Sequence, residues 1–242
     1  MQRKINQSNF PFLRGRRIRN SSWIRNLTSE EGLNKNDLIQ PIFVKEDNDK
    51  EELIEKMPGI KRYSISSLAK EIEEIINLGI RAVALFPKID QKLKTINGDE
   101  AINPENLICK TLKFLRSEFP ELGVICDVAL DPYTISGHDG VLDQNGNIDN
   151  DKSLEILSEM SINLANAGCE ILAPSDMMDG RIRTIREQLE KNKFPNVCLM
   201  SYSAKFCSNF YGPFRNALGN EKNLGLSSKK TYQLNFKNRI ES

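Results

Sequence analysis

The chain has 242 residues, with 34 Lys and Arg against 33 Asp and Glu, so its formal net charge is +1 with the single His neutral. That balance argues against a uniformly basic nucleic-acid binder and an acidic disordered chain, while 39% hydrophobic and 28% charged residues is near-ordinary globular usage for one large domain or two small ones. No apolar run approaches the roughly 18–20 residues that a bilayer-spanning helix needs. The five cysteines lack CxxC or CxH pairings and read as reduced, mostly buried thiols of a cytoplasmic chain.

The near-neutral total hides an asymmetry. Residues 1–29 hold seven cations (Arg3, Lys4, Arg14, Arg16, Arg17, Arg19 and Arg25) and no acid, leaving 27 cations against 33 acids, a net −6, in the remainder. A transit peptide, a nucleic-acid arm and an extension that docks on another subunit are the three readings of such a segment. Phe10, Phe12, Leu13 and the only Trp, Trp23, lie among the charges and suit docking. The arm is drawn as residues 1–35 and the body as 36–242.

Beyond the arm, short apolar runs alternate with helical periodicity. Strands are predicted at Leu38–Val44, Ile80–Phe86, Val124–Leu130, Glu170–Ala173 and Val197–Tyr202, and helices at Ser64–Leu78, Asn103–Glu118, Asp151–Ala167 and Gly180–Lys191. Ser64 and Asn103 are the candidate N-caps, and Gly79 and Gly168 the C-terminal glycines. Apolar strands separated by helices imply an α/β fold with a parallel sheet, either an open doubly wound sheet or a (β/α)8 barrel. No GxGxxG follows the first strand and no P-loop motif occurs, which favours the barrel, with its functional groups past the C-terminal ends of the strands. Five βα units are legible.

The unusual residues stand at those ends. Lys205, in Ser201-Tyr202-Ser203-Ala204-Lys205-Phe206, is placed for a desolvated amine whose pKa falls so that it attacks a carbonyl and forms a Schiff base; a solvated surface lysine is the plain alternative. Asp127, Asp131 and Asp139 gather three carboxylates near the one histidine, and Asp127 and Asp131 would share a face if the strand ran on through both. Oxygen ligands of this kind suit Mg²⁺, water or an ammonium group. His138 is either a catalyst or a structural hydrogen-bonder. Ser175 and Asp176 precede a helix, where a cap is the ordinary role. Arg215, in Tyr211-Gly212-Pro213-Phe214-Arg215, suits a loop that folds over a pocket and offers a guanidinium to a carboxylate. Lys229 and Lys230 follow a Gly/Asn/Ser-rich stretch expected to be mobile.

Taken together these segments resemble the porphobilinogen synthase (5-aminolevulinate dehydratase) family. The matching pieces are Arg14-Gly15-Arg16-Arg17-Ile18-Arg19, Gln40-Pro41-Ile42-Phe43-Val44, Met57-Pro58-Gly59, Leu85-Phe86-Pro87, Asp127-Val128-Ala129-Leu130-Asp131, Gly137-His138-Asp139-Gly140, Ala173-Pro174-Ser175-Asp176-Met177-Met178-Asp179-Gly180, and Ser201-Tyr202-Ser203-Ala204-Lys205-Phe206 through Arg215. The resemblance implies a TIM barrel whose N-terminal arm wraps a neighbouring subunit of a homo-octamer. It implies condensation of two 5-aminolevulinate molecules into porphobilinogen with loss of two waters. Lys205 matches the Schiff-base lysine of the A-side substrate. Arg215 and Lys229 match the residues that hold its carboxylate, with Gln233 nearby, and Asp127 and Ser175 match polar residues of the pocket. Where zinc-dependent members carry three cysteines this chain has Ala129, Asp131 and Asp139, so no catalytic zinc is expected, and the magnesium-type branch is implied. Ile135-Ser136 departs from the usual pattern before Gly137-His138.

The residues Lys230–Ser242 match the family as it enters its next helix and carry no stop signal. This predicts a chain that continues into three further strands, a second Schiff-base lysine in a Val-Lys-Pro motif, and the glutamate of the family's allosteric Mg²⁺ site, and it predicts no turnover by residues 1–242 alone. Two other readings remain open: a non-catalytic short paralogue that docks into homologous oligomers, and a different Schiff-base aldolase that takes a keto acid through Lys205 and Arg215.

Overall fold

A computed structural model describes residues 10–46, 51–220 and 228–242. Arg3 and Lys4 of the basic arm, and 221–227 of the stretch expected to be mobile, lie outside the described residues. The chain divides into two units, Met1–Asp37 and Leu38–Ser242. The first holds a 3-10 turn over Gly15–Arg19 and helix α1 (Ser22–Leu27), neither with a buried residue. Phe10, Phe12 and Trp23 are 73%, 82% and 65% exposed.

The second unit is an α/β layer. Strands β1 (Ile39–Lys45), β2 (Glu51–Leu53), β3 (Lys61–Tyr63), β4 (Ala82–Lys88), β5 (Gly123–Val128), β6 (Ile171–Pro174) and β7 (Cys198–Leu199) form one sheet in the order β2-β3-β1-β4-β5-β6-β7. Every pairing is parallel except β2 with β3. Helices α2 (Ile65–Asn77), α3 (Leu107–Glu118), α4 (Asn150–Asn166) and α5 (Arg181–Lys191) connect the parallel strands, and α6 (Gly212–Ala217) follows β7. The alternating pattern thus produces the parallel sheet it predicts, because each apolar strand can bury a face only under the helix that returns the chain.

The two faces of the sheet separate by the two-residue strand period. Ile42, Val44, Val83, Leu85, Val124, Cys126, Val128 and Leu172 pack with Leu68, Ile72, Leu112, Leu115, Leu157, Leu164, Ile185 and Leu189 of the helices in one buried cluster. The intervening residues face the other way, where Phe43, Phe86, Ile54, Ala217 and Leu218 make a smaller cluster. Asp127 alternates with Cys126 and Val128 and so belongs to that second face. Three thiols, Cys109, Cys126 and Cys169, are buried, whereas Cys198 is exposed and Cys207 half-buried. Burial pushes the Cys109 thiol up to about 11 and also raises that of Cys126 well above the usual thiol range, so neither supplies a thiolate at neutral pH.

Several local expectations change. Helix α3 starts at Leu107, and Asn106, not Asn103, caps it: the Asn106 carboxamide accepts from Cys109 N at 2.9 Å, while Asn103 makes its own turn with Glu105 N at 3.0 Å. Ser64 has the extended backbone of an N-cap, but no side-chain cap bond forms. Gly79 and Gly168 do close α2 and α4, with φ of 88° and 99°. Strands β2 and β3 have three residues each and polar sequences, Glu-Glu-Leu and Lys-Arg-Tyr, which leave no apolar run to see. Strand β7 is only two residues, yet Cys198, Met200 and Tyr202 donate their N–H groups to Glu170, Leu172 and Pro174 at 2.8, 2.9 and 3.2 Å, so the ladder covers most of the expected span. Residues 232–242 form turns and no helix. No helix among the described residues is long and apolar enough to cross a membrane.

Candidate active site

The ladder along β6 delivers Lys205 to the C-terminal end of the sheet, three residues beyond its last bond. There the chain is met by a later segment: Leu234 N donates to Lys205 O at 2.9 Å and Cys207 N to Leu234 O at 3.2 Å. That pairing brings the 3-10 turn Lys229–Thr231, Tyr232 and Gln233 beside Lys205. The third contributor is the loop after β5. Its backbone is fixed by Leu130 N to Asp139 O at 3.1 Å and by Val141 N to the Ser153 hydroxyl of α4 at 3.0 Å.

These three segments converge on Asp139, which is 1% exposed. Lys205 Nζ donates to Asp139 Oδ1 at 3.1 Å and to the Ser175 carbonyl at 2.7 Å. Lys229 Nζ donates to Asp139 Oδ2 at 2.8 Å, and the Tyr232 hydroxyl to the same oxygen at 2.7 Å. Asp131 Oδ2 stands 4.0 Å from Lys229 Nζ. Strand β5 ends at Val128, so Asp131 does not share a strand face with Asp127; the turn at Leu130, closed by the Tyr133 and Thr134 N–H groups, carries it to the cluster instead. Lys229 is 9% exposed, a buried ion-pair partner and not a solvated lysine.

The charges set one another's protonation. Burial alone would push the Asp139 carboxyl up, but the Lys205 and Lys229 ammoniums and the Tyr232 hydroxyl outweigh it and hold Asp139 well below the usual carboxylate range. Burial likewise opposes the Lys205 ammonium, and the carboxylates of Asp139, Asp131 and Asp127 overcome it, so the Lys205 pKa is raised. This reverses the expectation of a depressed amine: desolvation is present, but a carboxylate about 4 Å from a cation is worth about 4 kcal/mol at an effective dielectric of about 20, and three carboxylates face this one. Asp127 goes the other way. Burial holds its carboxyl at about 7 against the pull of Lys205 and the Ser175 hydroxyl, and its Oδ1 is buried with no hydrogen-bond partner. Burial also raises Asp131, with Lys229 opposing.

His138 is hydrogen-bonded within the cluster. It is 2% exposed, its pKa is lowered by burial and then by Lys229, and its Nδ1 lies 3.1 Å from the Tyr232 hydroxyl. With Tyr232 donating to Asp139, the neutral ring is the Nδ1–H tautomer that donates to Tyr232. Asp176 does not cap the helix it precedes: Gly180 is the N-cap of α5, which has no side-chain cap bond, and Asp176 instead turns the loop before it, accepting from Met178 N at 2.7 Å, with its buried carboxyl raised to about 7 by desolvation.

Arg215 is not drawn into the ion-pair cluster: its guanidinium makes no hydrogen bond or ion pair among the described residues. It rides on α6, whose Phe214 packs 5.3 Å from Phe86 and 6.0 Å from Phe43. Tyr211, at the start of the same segment, places its ring 5.9 Å from Lys205 Nζ. Gln233 is 6% exposed and lines a cavity of about 430 Å³ with Cys207 and Lys230. The reading of the sequence missed Tyr232, Lys94 and Asn220. Only Tyr232 carried a signal, its place between Lys229 and Gln233.

The sum is a buried amine, a second ammonium that shares its carboxylate partner, and two buried carboxyls held near neutrality, Asp127 and Asp176, with the Arg215 guanidinium unpaired among the described residues. That set suits imine formation with a keto acid. The family profile described as delta-aminolevulinic acid dehydratase matches residues 12–242. Among curated relatives, the delta-aminolevulinic acid dehydratase of Bradyrhizobium diazoefficiens is 45% identical over 95% of this chain and 65% of its own length. That of Chlamydia pneumoniae is 44% identical over 95% and 68%, and that of Methanothermus sociabilis 44% over 96% and 71%. The crystal structure of delta-aminolevulinic acid dehydratase (porphobilinogen synthase) from Toxoplasma gondii ME49, in complex with the reaction product porphobilinogen, superposes with a TM-score of 0.91 at 41% identity, over 95% of this chain and 65% of that one. The chain thus spans about two-thirds of the length of these relatives.

Proposed function

The chain belongs to the delta-aminolevulinic acid dehydratase family, and from that premise we propose that it takes part in condensing two 5-aminolevulinate molecules into porphobilinogen in tetrapyrrole biosynthesis, with Lys205 as the Schiff-base amine of the A-side substrate. The observation that carries this reading is the buried Lys205–Asp139–Lys229 set, in which one carboxylate serves two ammoniums. A substrate carboxylate that engages Lys229 and Arg215 relieves Asp139 of half its load. Asp139, no longer held down by Lys229, accepts the Lys205 proton along the existing hydrogen bond, and the free amine adds to the substrate ketone; protonation of the resulting hydroxyl and its loss as water gives the imine. Asp127, held at about 7, is the carboxyl matched to those proton transfers at neutral pH. The imine acidifies the neighbouring C–H bond, which is what carbon–carbon bond formation requires. A chain used only for docking has no need of such a buried, mutually charged set.

Ala129, Asp131 and Asp139, the positions of the three cysteines of zinc-dependent members, offer no thiolate, and both carboxylates face Lys229. We therefore assign the chain to the branch without catalytic zinc. The family's allosteric Mg²⁺ is proposed to take its glutamate ligand from outside residues 1–242. The cytoplasm is the proposed compartment, supported by five unpaired thiols.

Sodium borohydride reduction in the presence of 5-aminolevulinate tests the central claim, since it converts an imine to a stable secondary amine. Peptide mass spectrometry is expected to find the adduct on Lys205; an unmodified Lys205, or an adduct on another lysine alone, would overturn it.

The proposed docking of the arm on a neighbouring subunit of a homo-octamer rests on its exposed Phe10, Phe12 and Trp23. Deleting residues 1–35 is expected to lower the assembly size in sedimentation velocity while the body stays folded by circular dichroism. An assembly of undiminished subunit number would remove the arm from the interface.

A further inference from the structure

We infer that Lys94 is a positioning residue of this site, holding Asn220 so that the end of α6 and the turn bearing Asp131 stay in register with Lys205. The catalytic consequence rests on the reading of Lys205 as the Schiff-base amine; the mechanical part does not.

Lys94 follows β4, the central strand of the sheet and three positions from β7, and a 3-10 turn over Gln91–Leu93, and is 4% exposed. Its ammonium donates to Asn220 Oδ1, and it has no other hydrogen bond among the described residues. Asn220 is 1% exposed and spends its remaining groups on two further segments: Nδ2 donates to the Asp131 carbonyl at 2.7 Å, and its backbone N–H to the Arg215 carbonyl at 2.9 Å. The carboxamide thus joins the loop after β4 to the turn after β5, and the backbone of the same residue ties both to the helix that carries Arg215.

A buried ammonium whose single partner is a neutral amide oxygen is costly, and an apolar side chain of the same length would fill the volume without that cost. Burial accordingly pulls the Lys94 pKa down to about 8, with the Asp131 carboxylate opposing. The lysine is explained by what it fixes. It sets the direction of the Asn220 carboxamide and adds a third cation acting on Asp131, beside Lys229 and Lys205. Arg62 supplements it from β3, donating Nε to the Ala217 carbonyl at 2.6 Å and Nη2 to that of Asn216 at 2.5 Å. Helix α6 therefore enters from the β7 side and is held at the β3 and β4 side, and Arg215 lies on the span between.

The test compares Lys94→Met, Asn220→Ala and the double variant with the wild-type chain by two measurements. Hydrogen exchange is expected to accelerate about tenfold or more at the Leu218 and Asn220 amides in Lys94→Met, with Val124 and Cys126 of β5 unchanged. Borohydride trapping of 5-aminolevulinate on Lys205 is expected to show a half-saturating concentration raised about tenfold in each single variant, the limiting yield kept, and the double variant within about twofold of the singles, because the two residues act as one unit. Unchanged exchange at Leu218 and Asn220, loss of protection in β5 as well, or effects that multiply in the double variant would each overturn the inference. If wild-type Lys205 takes no adduct, the proposed function fails, and exchange alone then decides whether Lys94 holds α6.

Discussion

Lys205→Met is expected to abolish the borohydride adduct with 5-aminolevulinate while leaving the body folded. The amine is the only group at this position able to form the imine. Its removal does not strand Asp139, which keeps Lys229 at 2.8 Å and the Tyr232 hydroxyl at 2.7 Å. A second effect follows from the charges. Lys205 lowers the Asp127 carboxyl against the push of burial, so in the variant Asp127 titrates above its wild-type value of about 7, which infrared or NMR titration of a labelled aspartate would read. An adduct that survives in Lys205→Met would mean that another lysine carries the chemistry.

Asp127→Asn is expected to separate stability from reactivity. A carboxyl with a raised folded pKa contributes stability that is fully present below its unfolded value, 3.8, and lost as the pH rises through about 7. At and above neutral pH the buried Asp127 is therefore a liability, with an upper bound of about 4 kcal/mol. The amide removes it, so the variant should melt at a higher temperature than wild type at pH 8, with the difference vanishing toward pH 4. The rate of imine trapping should fall about 10²–10⁴-fold, the usual contribution of a placed general acid or base. A variant trapped at the wild-type rate would show that Asp127 moves no proton in this step; one less stable at pH 8 would show that its charge is compensated. Asp139 has the opposite sign. Its folded pKa is depressed, so its stabilising contribution is present above 3.8 and is lost as the pH falls through the lower folded value, which predicts an acid limb of unfolding distinct from the Asp127 effect.

The sheet was legible because its chemistry is repetitive. Runs such as Val83–Phe86 and Val124–Val128 have no destination but a helix-covered parallel sheet, and the predicted helices agree with the observed ones to within a residue or so, except at the start of α3. What the runs could not show is any element whose reason lies elsewhere in the fold. Lys61–Tyr63 becomes a strand because β1 offers an edge, Glu51–Leu53 because Lys61–Tyr63 then offers the next one, and Asp131 reaches the site through a turn. The site divides the same way. Lys205, Asp127, Asp139 and Ser175 stood out because each sits at a strand end among unusual neighbours. The sign of the Lys205 shift did not, because it depends on how many carboxylates arrive from other loops, and a single motif shows only the burial. Lys94 is one of many lysines in a polar run, and nothing local distinguishes it from its neighbour Lys92, which is exposed and paired with Asp90 at 3.1 Å.

The partition of the five thiols gives the protein a built-in clock and a built-in gauge. Cys109, Cys126 and Cys169 are sealed under the helices, so a maleimide reaches them at neutral pH only as fast as the β5–β6 core opens. Their rate of modification measures global unfolding without any engineered probe. Cys207 is half-buried, two residues from Lys205 and tied to Leu234 by its backbone. Its alkylation reports on the site alone, and the ratio of the two rates, followed with and without ligand, distinguishes a mouth that has filled from a chain that has merely become more stable.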